Sequence, residues 1–547
     1  MNFNAILPES RVSAMKEGGF WRDQVLTDFL DRAVAERSNA LAIVGYNSET
    51  DQQVRLSYGE LAQRVDLVAL NLARLGVRHG DVVSCQLPAW WEFAVIHLAC
   101  LRLGAATNAV MPIFRERELE FMLGLAESKV FIIPTRFRGA DYPAIAAGVR
   151  DKLPRLKHVL EVGGTGLGSF ERELLGASDG LESYRRHLAR PTANEVIQLL
   201  FTSGTTGEPK CVMHTSNTLL TNLLTQVNRL GLTHEDAFLI CTPIAHQVGF
   251  CYGLSLSIAV GGKVVMQDAW SKERAAELVK TERVTMITGS PPILADLNEV
   301  ATQRPGDFAS MRYFLASGAP IPPILVQRTS ASLGAIIISG WGMTENLLVT
   351  TTDPTDSPRK AFETDGRALP GSEVRVVDEN GQTAPPHREG RLQTRGCTQF
   401  VGYLKRPQWH GTDAEGWFDT GDMARIDEDG FIRITGRSKD IVIRGGEKIP
   451  VLEVEGLLYQ HPDVFEVSIV AVPDARLGER ACAFVVPRDG KTLMLEDIAK
   501  FLASLKVAKQ YVPERLEIVT ELPKTASGKV QKFLLREIAK SNVHEAA

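Results

Sequence analysis

Residues 202–210 concentrate small hydroxyl side chains, glycines and one lysine in a single loop, Thr-Ser-Gly-Thr-Thr-Gly-Glu-Pro-Lys. The apolar run 196–201 precedes this loop and predicts a buried strand. Backbone N–H groups at glycine, beside Ser and Thr donors, form a concave site suited to phosphate oxygens. The spacing differs from Gly-x-x-x-x-Gly-Lys-Ser/Thr, so the loop is not a P-loop of the usual ATPase type. Taken alone, such a cluster is equally typical of a surface loop.

Further short motifs follow this loop along the chain. They are Ser-Gly-Ala-Pro at 317–320, Gly-Trp-Gly-Met-Thr-Glu at 340–345, Gly-Trp-Phe-Asp-Thr-Gly-Asp at 416–422, Gly-Arg-Ser-Lys-Asp at 436–440 and Pro-Lys-Thr-Ala-Ser-Gly-Lys at 523–529. In this order, and with the loop at 202–210, they resemble the signature motifs of the adenylate-forming superfamily. That superfamily includes acyl-CoA synthetases, peptide synthetase adenylation domains and firefly luciferase. The resemblance spans nearly the whole chain.

The resemblance implies that the protein binds ATP. Asp422 is expected to accept the ribose hydroxyls, and Arg437 to reach the ribose or a phosphate oxygen. Trp341 stands where many relatives have tyrosine and is expected to stack on adenine, although tryptophan is by default a packing residue. Lys210 follows the departing pyrophosphate or is simply solvated. The full set of nucleotide-binding residues that the resemblance implies is Thr202, Ser203, Gly204, Thr205, Thr206, Gly207, Lys210, Ser317, Gly318, Ala319, Pro320, Gly340, Trp341, Gly342, Met343, Asp422 and Arg437.

Attack of a carboxylate on the α-phosphorus of ATP requires cations and fixed dipoles that offset the developing negative charge. By resemblance, Lys529 reaches from a C-terminal domain to the acyl carboxylate and the α-phosphate. Glu345 offers the hard oxygen ligand that Mg²⁺ prefers, and Thr344 can donate to phosphate. His246 aligns with an aromatic position beside the acyl carboxylate, although a single histidine in an apolar run is more often a core residue.

The second half-reaction, transfer to coenzyme A, requires a path for a thiol. Gly445, Gly446 and Glu447 resemble the loop that enters the active site when the C-terminal domain rotates, and glycines let backbone lie close to the pantetheine chain. Lys439 occupies the hinge position. A few residues that absorb a large φ/ψ change suffice for such a rotation.

The family pattern also gives candidate residues for the acid pocket, which are Ile244, Gln247, Val248, Cys251, Gly318, Gly340 and Met343. This set is mainly apolar and lacks an Arg or Lys partner for a second charge, which favours a neutral hydrophobic acid. The chain resembles bacterial medium-chain and alicyclic acid CoA ligases, the cyclohexanecarboxylate-CoA ligase type among them. The alternatives are a stand-alone adenylation enzyme that loads a carrier protein and a catalytically silent nucleotide-binding relative. A luciferase-type oxidase shares the motifs, but nothing in the sequence requires oxygen chemistry.

Residues 523–534 resemble the segment around the lysines that are reversibly acetylated in bacterial acyl-CoA synthetases. A protein acetyltransferase and a deacetylase acting on Lys529 are therefore possible partners by resemblance. Acetylation would replace the ammonium with a neutral amide.

The elements that must position these residues follow from the hydrophobic pattern. Helix-like stretches such as 58–75 alternate with short apolar runs at 82–87, 130–134, 196–201, 263–266, 284–288 and 335–339, which predicts α/β layers with parallel strands. Closely spaced strand signals at 373–377, 390–394 and 431–435 predict a β-rich subdomain. We expect a large N-terminal adenylate-forming domain, residues 1–438, and a small mobile α+β C-terminal domain, residues 439–547.

Composition limits the functional classes. With 547 residues, 44% of them hydrophobic, the chain can bury several cores, and a net charge of −5 gives no basic field for nucleic acid. The seven cysteines contain no Cys-x-x-Cys pair and are expected to be reduced and mostly buried. The uncharged run 237–262 is interrupted by proline, glycine and polar residues, so a buried core rather than a membrane helix is expected. The first residues lack the apolar core of a secretory signal, and a cytoplasmic location is expected.

Overall fold

The computed structural model describes residues 1–186, 191–202, 209–319, 321–437, 440, 442–444, 447–474, 476–525 and 528–544. Its strands, in chain order, are β1 (Leu41–Asn47), β2 (Gln52–Ser57), β3 (Val82–Cys85), β4 (Ala106–Ala109), β5 (Val130–Pro134), β6 (Arg136–Phe137), β7 (Ala140–Asp141), β8 (His158–Val162), β9 (Val196–Thr202), β10 (Lys210–Thr215), β11 (Ala237–Ile240), β12 (Lys263–Gln267), β13 (Met286–Gly289), β14 (Tyr313–Ala316), β15 (Ile336–Met343), β16 (Leu347–Thr351), β17 (Arg367–Ala368), β18 (Ser372–Val377), β19 (Gly390–Gly396), β20 (Phe418–Ile426), β21 (Ile432–Arg437), β22 (Val442–Arg444), β23 (Glu447–Ile449), β24 (Val464–Asp474), β25 (Gly478–Pro487) and β26 (Arg515–Ile518).

The α-helices are α1 (Glu9–Glu17), α2 (Leu26–Arg37), α3 (Tyr58–Arg74), α4 (Trp91–Leu103), α5 (Glu116–Leu125), α6 (Tyr142–Arg150), α7 (Phe170–Leu175), α8 (Leu181–Arg186), α9 (Ser216–Leu230), α10 (Leu256–Val260), α11 (Lys272–Glu282), α12 (Pro291–Gln303), α13 (Pro323–Leu333), α14 (Pro358–Glu363), α15 (Val451–Leu458), α16 (Leu495–Ser504) and α17 (Lys532–His544). A π-helix, Val248–Ser255, runs directly into α10. Short 3₁₀ turns lie at Pro305–Phe308, Pro407–Trp409 and Lys509–Tyr511.

Two large sheets build the N-terminal part of the fold. The first has the order β17-β16-β15-β14-β13-β11-β12-β1-β2, and the second has the order β10-β9-β4-β3-β5-β8. The inner strands of both sheets are parallel, as predicted from the alternation of apolar runs and helices. Each predicted strand is present: β5 has the predicted ends, and the ends of the other strands differ from the prediction by at most four residues.

The largest hydrophobic cluster lies between the two sheets and includes α3 and α4. Helix α3 buries one stripe, whose leucines and valines at 61, 65, 68 and 72 are fully buried at spacings of three and four residues. Its N-terminus is a capping box, in which Ser57 Oγ accepts from the Glu60 N–H and Glu60 Oε2 accepts from the Ser57 N–H. Helix α4 is buried almost all round because it packs between α3 and the sheets.

The carboxyl ends of β11, β13, β14 and β15 meet at one edge of the first sheet. In parallel sheets this edge is where loops form ligand sites. The segment after β11 leads to His246, the one after β14 contains Ser317, and β15 ends beside Thr344. His246, Ser317 and Thr344 therefore lie at the same edge because the strands before them end there.

Two smaller sheets follow, the first antiparallel and the second mixed, since β26 runs parallel to β25. Strands β18 to β21 form a four-stranded sheet, the predicted β-rich subdomain, and β22 to β26 form a separate sheet covered by α15, α16 and α17. The last sheet has its own hydrophobic clusters. The predicted α/β fold with a β-rich subdomain and a small C-terminal domain is confirmed. The exact boundary at 438/439 lies outside the described residues and stays a prediction.

All seven cysteines are buried and unpaired, as expected. Within the described ranges, no helix combines the length and the apolar character that crossing a membrane requires. The run 237–262 contains β11, the π-helix and α10, and most of its side chains belong to the core.

Candidate active site

Asp422 lies on β20 opposite Arg437 of β21. Its carboxylate is 5% exposed and has a partner on each oxygen. Arg437 Nε donates to Oδ1 at 2.8 Å, and the indole Nε1 of Trp341 donates to Oδ2 at 3.0 Å. Each carboxylate oxygen can accept a further hydrogen bond, so the pair of donors orients Asp422 and leaves capacity for hydroxyl groups.

Trp341 lies in β15 and packs in a cluster with Val349, Val376 and Leu392. The ring is 9% exposed. Its observed roles are packing and hydrogen bonding to Asp422, and stacking on adenine stays a prediction. Gly342, next to it, must lack a side chain because a Cβ there would lie 2.1 Å from the Leu347 carbonyl oxygen.

Lys529 closes a tight turn at the end of the C-terminal domain. The Thr525 N–H donates to the Lys529 carbonyl at 2.8 Å, and the Lys529 N–H donates to Thr525 Oγ1 at 3.1 Å. Gly528 has a φ of 82° and lies against Ser290, whose Oγ would be 3.3 Å from a Cβ at position 528. The turn therefore touches the ligand edge of the N-terminal domain directly after β13.

The charges around Lys529 come from both domains. Burial and, to a smaller extent, the Arg437 guanidinium lower the pKa of Lys529 to about 8. Asp422, Asp440 and Glu345 act in the opposite direction. The structure thus brings Lys529, Asp422, Arg437 and Glu345 into one electrostatic environment, although the motifs that contain them are far apart in sequence. Strongly shifted pKa values of this kind cluster at functional sites.

His246 lies between β11 and the π-helix. The Val248 N–H donates to its Nδ1 at 3.3 Å, so the neutral ring has its proton on Nε2. Burial and, to a smaller extent, the positive charge of Lys529 lower the pKa of His246 to about 4. At neutral pH the ring is therefore an uncharged donor beside Lys529.

The Glu345 turn joins β15 to β16. Glu345 is 7% exposed, its carbonyl accepts from the Phe400 N–H at 2.7 Å, and its Oε1 accepts from the Tyr403 hydroxyl at 2.7 Å. Burial raises the pKa of Glu345, and the Tyr403 hydrogen bond, Lys210 and Arg437 oppose that rise.

The donor set at this turn fits magnesium. Mg²⁺ is usually held by one or two carboxylates together with substrate phosphates and water, and Glu345 with the neighbouring Thr344 hydroxyl supplies that kind of site. Over the described residues, no group of three or more metal-ligating side chains forms a complete protein cage.

The phosphate loop is described only at its two ends. Thr202 ends β9 and Lys210 begins β10, where the two residues pair across the hairpin. The Lys210 ammonium lies 4.9 Å from the centre of the Tyr403 ring and 5.6 Å from that of Trp409. The predicted loop residues between them, Ser203, Gly204, Thr205, Thr206 and Gly207, lie outside the described residues.

The adenine-side residues follow β14. The Ser317 N–H donates to the Gly289 carbonyl at 3.1 Å, and Gly318 has a φ of 86°, which favours glycine. Ala319 follows, and Pro320 lies outside the described residues. Gly340 continues β15 beside this segment, where a Cβ would lie 3.1 Å from the Thr350 carbonyl oxygen. Met343 ends the strand and is partly buried.

The acid-pocket candidates Ile244, Gln247, Val248 and Cys251 are all buried at the start of the π-helix. A neighbour that the sequence did not single out, Gln198 of β9, exchanges two amide hydrogen bonds with Gln247, at 2.8 and 3.2 Å. The Cys251 thiol donates to Gln247 Oε1 at 3.0 Å. The amide and thiol groups of this wall hydrogen-bond to one another. None of its side chains carries a charge, so the wall is uncharged.

Two further residues near the site escaped the sequence reasoning. His214 Nε2 donates to the Thr344 carbonyl at 2.7 Å, and burial lowers the pKa of His214 to about 4. Tyr403 contacts Glu345, as described above. Both are single polar residues within apolar stretches, a pattern also typical of core residues, and no local signal distinguished them.

The thiol-side loop and hinge are only partly described. Lys439, Gly445 and Gly446 lie outside the described residues. Glu447 begins β23. Next to the hinge, the Asp440 carboxylate pairs with Arg536 of α17 at 2.9 Å. The predicted roles of this segment stay predictions.

Comparisons with known proteins find matches over most of the chain. Residues 30–404 match the family model described as AMP-binding enzyme, and residues 453–529 match the model described as AMP-binding enzyme C-terminal domain. The chain is 34% identical to the medium-chain fatty-acid–CoA ligase of Escherichia coli K12, over 97% of this chain and 93% of the relative. It is 31% identical to the 2,3-dihydroxybenzoate-AMP ligase of Bacillus subtilis 168, over 97% and 96% of the two chains.

Solved structures give the same result. ATP-bound MatB from Rhodopseudomonas palustris superposes with a TM-score of 0.84 at 27% identity, covering 94% of this chain and 99% of that one. The family models together span most of the sequence and include the segments that contribute Lys210, Glu345 and Lys529. The chain therefore belongs to the AMP-binding enzyme family.

Proposed function

We propose that the chain is an AMP-forming acid–CoA ligase that joins a neutral hydrophobic carboxylic acid to coenzyme A through an acyl-adenylate. The observation that carries this proposal is the position of Lys529. A cation from the C-terminal domain lies in one environment with Asp422, Arg437, Glu345 and His246 of the N-terminal domain. That arrangement suits the meeting of an acid, a nucleotide and a charge-stabilising ammonium.

In the first half-reaction, an oxygen of the acid attacks the α-phosphorus and the bond to pyrophosphate breaks. Lys529 offsets the negative charge that develops there, since a fixed cation in a partly buried site acts without reorganisation. Neutral His246 donates from Nε2 to the acid without competing for the role of cation. Asp422 and Arg437 hold the ribose. Magnesium held at Glu345 would neutralise phosphate charge.

In the second half-reaction, the thiol sulfur of coenzyme A attacks the acyl carbon, the bond to AMP breaks and the thiol proton is lost to solvent. The segment that contains Gly445, Gly446 and Glu447 is proposed to line the thiol path, with Lys439 as the hinge. The Lys529 turn meets the ligand edge where Gly528 lies against Ser290, and α15 contacts β21, so a rotation about the hinge would have to release both contacts.

The acid is proposed to be a medium-chain or alicyclic acid of the cyclohexanecarboxylate type. The support is the uncharged wall of Ile244, Gln247, Val248 and Cys251, whose polar atoms pair with each other or with Gln198. A second carboxylate on the substrate would meet no described cation there. The 34% identity to a relative named as a medium-chain fatty-acid ligase supports the same class.

A stand-alone adenylation activity is the second candidate function, because a relative of 31% identity is named as an AMP ligase of an aryl acid. The test is purified protein with ATP, magnesium and a panel of straight-chain, alicyclic and aryl acids, offered either free coenzyme A or a holo-carrier protein. We expect acyl-CoA, AMP and pyrophosphate with neutral aliphatic or alicyclic acids. If the acyl group is transferred only to the carrier protein, the acceptor is the carrier and not coenzyme A. No acid-dependent pyrophosphate release with any acid would reject the proposal.

A further inference from the structure

Tyr403 is fixed beside the strand that follows the phosphate loop. The segment around it pairs with β10, since the Val401 N–H donates to the Met213 carbonyl at 3.0 Å and the Leu404 N–H donates to the Cys211 carbonyl at 2.8 Å. These bonds set Tyr403 opposite Val212 and bury its side chain to 3% exposure. Backbone pairing to β10 therefore determines where the Tyr403 ring lies.

Tyr403 contacts two charged groups of the nucleotide site with different parts of its side chain. Its hydroxyl donates to Glu345 Oε1 at 2.7 Å. Its ring and that of Trp409, here called the aromatic cradle, lie 4.9 and 5.6 Å from the Lys210 ammonium. An ammonium at these distances is attracted to the faces of aromatic rings.

The two charged groups have opposite signs and interact, since the charge of Lys210 acts on Glu345. Lys210 nevertheless forms no ion pair with any carboxylate in the described part of the chain. A direct pair between them would place the loop lysine on the carboxylate that faces the phosphates. Such an ion pair would occupy the Glu345 oxygens that a metal ion needs. It would also occupy the Lys210 ammonium that a phosphate oxygen needs. The aromatic cradle gives the ammonium an alternative that carries no negative charge.

We propose that Tyr403 is a positioning residue of the nucleotide site: its hydroxyl orients the Glu345 carboxylate, and its ring, with Trp409, keeps Lys210 off that carboxylate. The magnesium role of Glu345 in this inference rests on the proposed function. The separation of Lys210 from Glu345 does not rest on the proposed function, because it follows from the contacts of Lys210 with Tyr403 and Trp409.

The experiment compares Tyr403→Phe, which keeps the ring and removes the hydroxyl, with Trp409→Leu, which removes a ring and keeps the hydroxyl. For Tyr403→Phe the half-saturating Mg²⁺ concentration should rise about tenfold or more, the usual effect of removing a group that orients a metal-binding side chain. For Trp409→Leu the KM for ATP should rise about threefold to tenfold, since one cation–π contact of ordinary strength is lost. The Mg²⁺ requirement should rise clearly less than in Tyr403→Phe, because the Tyr403 ring still holds Lys210 and the hydroxyl still orients Glu345.

ATP binding is measured separately by calorimetry without acid, with and without magnesium. Tyr403→Phe should weaken MgATP binding about tenfold and affect magnesium-free ATP much less. In a Glu345→Gln background the same substitution should change either quantity less than about twofold, because the hydroxyl acts through the carboxylate. Folding is checked by thermal melting. If Tyr403→Phe is unfolded, Trp409→Leu and Glu345→Gln are used to test the proposal instead.

An unchanged Mg²⁺ requirement in folded Tyr403→Phe would overturn the inference. So would an equal rise in the Mg²⁺ requirement for Trp409→Leu, which would indicate general loosening of the segment. If only Trp409→Leu can be studied, an unchanged KM for ATP rejects the aromatic cradle. Failure of the proposed function is a separate outcome: the native enzyme would release no pyrophosphate with any acid, while the calorimetric comparison would still decide the role of Tyr403.

Discussion

The indole N–H of Trp341 and the carboxylate of Asp422 are joined by a 3.0 Å hydrogen bond between β15 and β20, 81 residues apart in sequence. This bond and the one from Arg437 orient a buried carboxylate that is expected to bind ribose. We predict that Trp341→Phe, which keeps an aromatic ring, raises the KM for ATP about tenfold or more. A hydrogen bond to a charged group contributes about 1.5–3 kcal/mol.

The matched control is Trp90→Phe. Trp90 Nε1 donates to Asp268 Oδ2 at 2.7 Å, the same kind of bond outside the nucleotide motifs. Steady-state kinetics at saturating acid should show a normal KM for ATP in this variant, together with a lower melting temperature. Similar kinetics in the two variants would assign the Trp341 bond to stability alone.

The pH dependence of adenylation should report Lys529. Because its pKa is lowered to about 8, the free enzyme loses this cation as the pH rises through about 8. We predict that kcat/KM for ATP falls above that pH, since kcat/KM follows the ionisation of the free enzyme. In Lys529→Arg the guanidinium stays charged, so any residual activity should persist to higher pH. A decline at the same pH in both proteins would point to another group.

The two half-reactions should separate by mutation. Lys529→Ala removes the cation used in adenylation, so acid-dependent pyrophosphate release should fall by about a hundredfold or more. Transfer from a supplied acyl-adenylate to coenzyme A should continue. Gly446→Trp should have the reverse effect by obstructing the thiol path. Parallel loss of both steps in both folded variants would argue against a C-terminal domain that serves the steps in turn.

Acetylation of Lys529 should act as an off switch for the first step. Protein made with acetyl-lysine only at position 529 is expected to lose adenylation, because a neutral amide replaces the ammonium. It should still transfer from preformed acyl-adenylate and should recover after treatment with a deacetylase. The control is acetyl-lysine at Lys491, an exposed residue paired with Asp463. Normal adenylation by the protein acetylated at position 529 would contradict both the switch and the catalytic role of Lys529.

Sequence reasoning predicted the parts of the site that short motifs encode. Asp422, Arg437, Glu345 and Lys529 each lie in a recognisable run. The strands before His246, Ser317 and Glu345 end at one edge of a largely parallel sheet, where α/β folds form ligand sites. The β-rich subdomain was also predictable, because closely spaced strand signals mark antiparallel pairs.

The residues that sequence reasoning missed depend on contacts between distant segments. Tyr403 reaches Glu345 over 58 residues, and His214 reaches Thr344 over 130. In the sequence, Gln198 is a single polar residue within an apolar strand. Its partner, Gln247, is 49 residues away and is evident only in the folded structure. Pairing across such separations depends on the packing of whole sheets, and no local pattern determines it. Trp341 shows a related limit of sequence reasoning. Its motif predicted stacking on adenine but gave no sign of the hydrogen bond from its indole N–H to Asp422.

The π-helix at Val248–Ser255 makes the acid pocket sensitive to length as well as to side-chain chemistry. A Cβ at Gly249 would lie 2.6 Å from the Pro243 carbonyl oxygen, and the Phe250 ring packs edge-on against the His97 ring. A π-turn holds one residue more than an α-turn. Deleting a single residue from the segment would therefore let it relax to an α-helix while α10 beyond it keeps its orientation. The side chains inside the π-turn, which belong to the predicted wall of the acid pocket, would change direction. Substrate preference at this wall can thus change in one discrete step, by an indel rather than by gradual substitution.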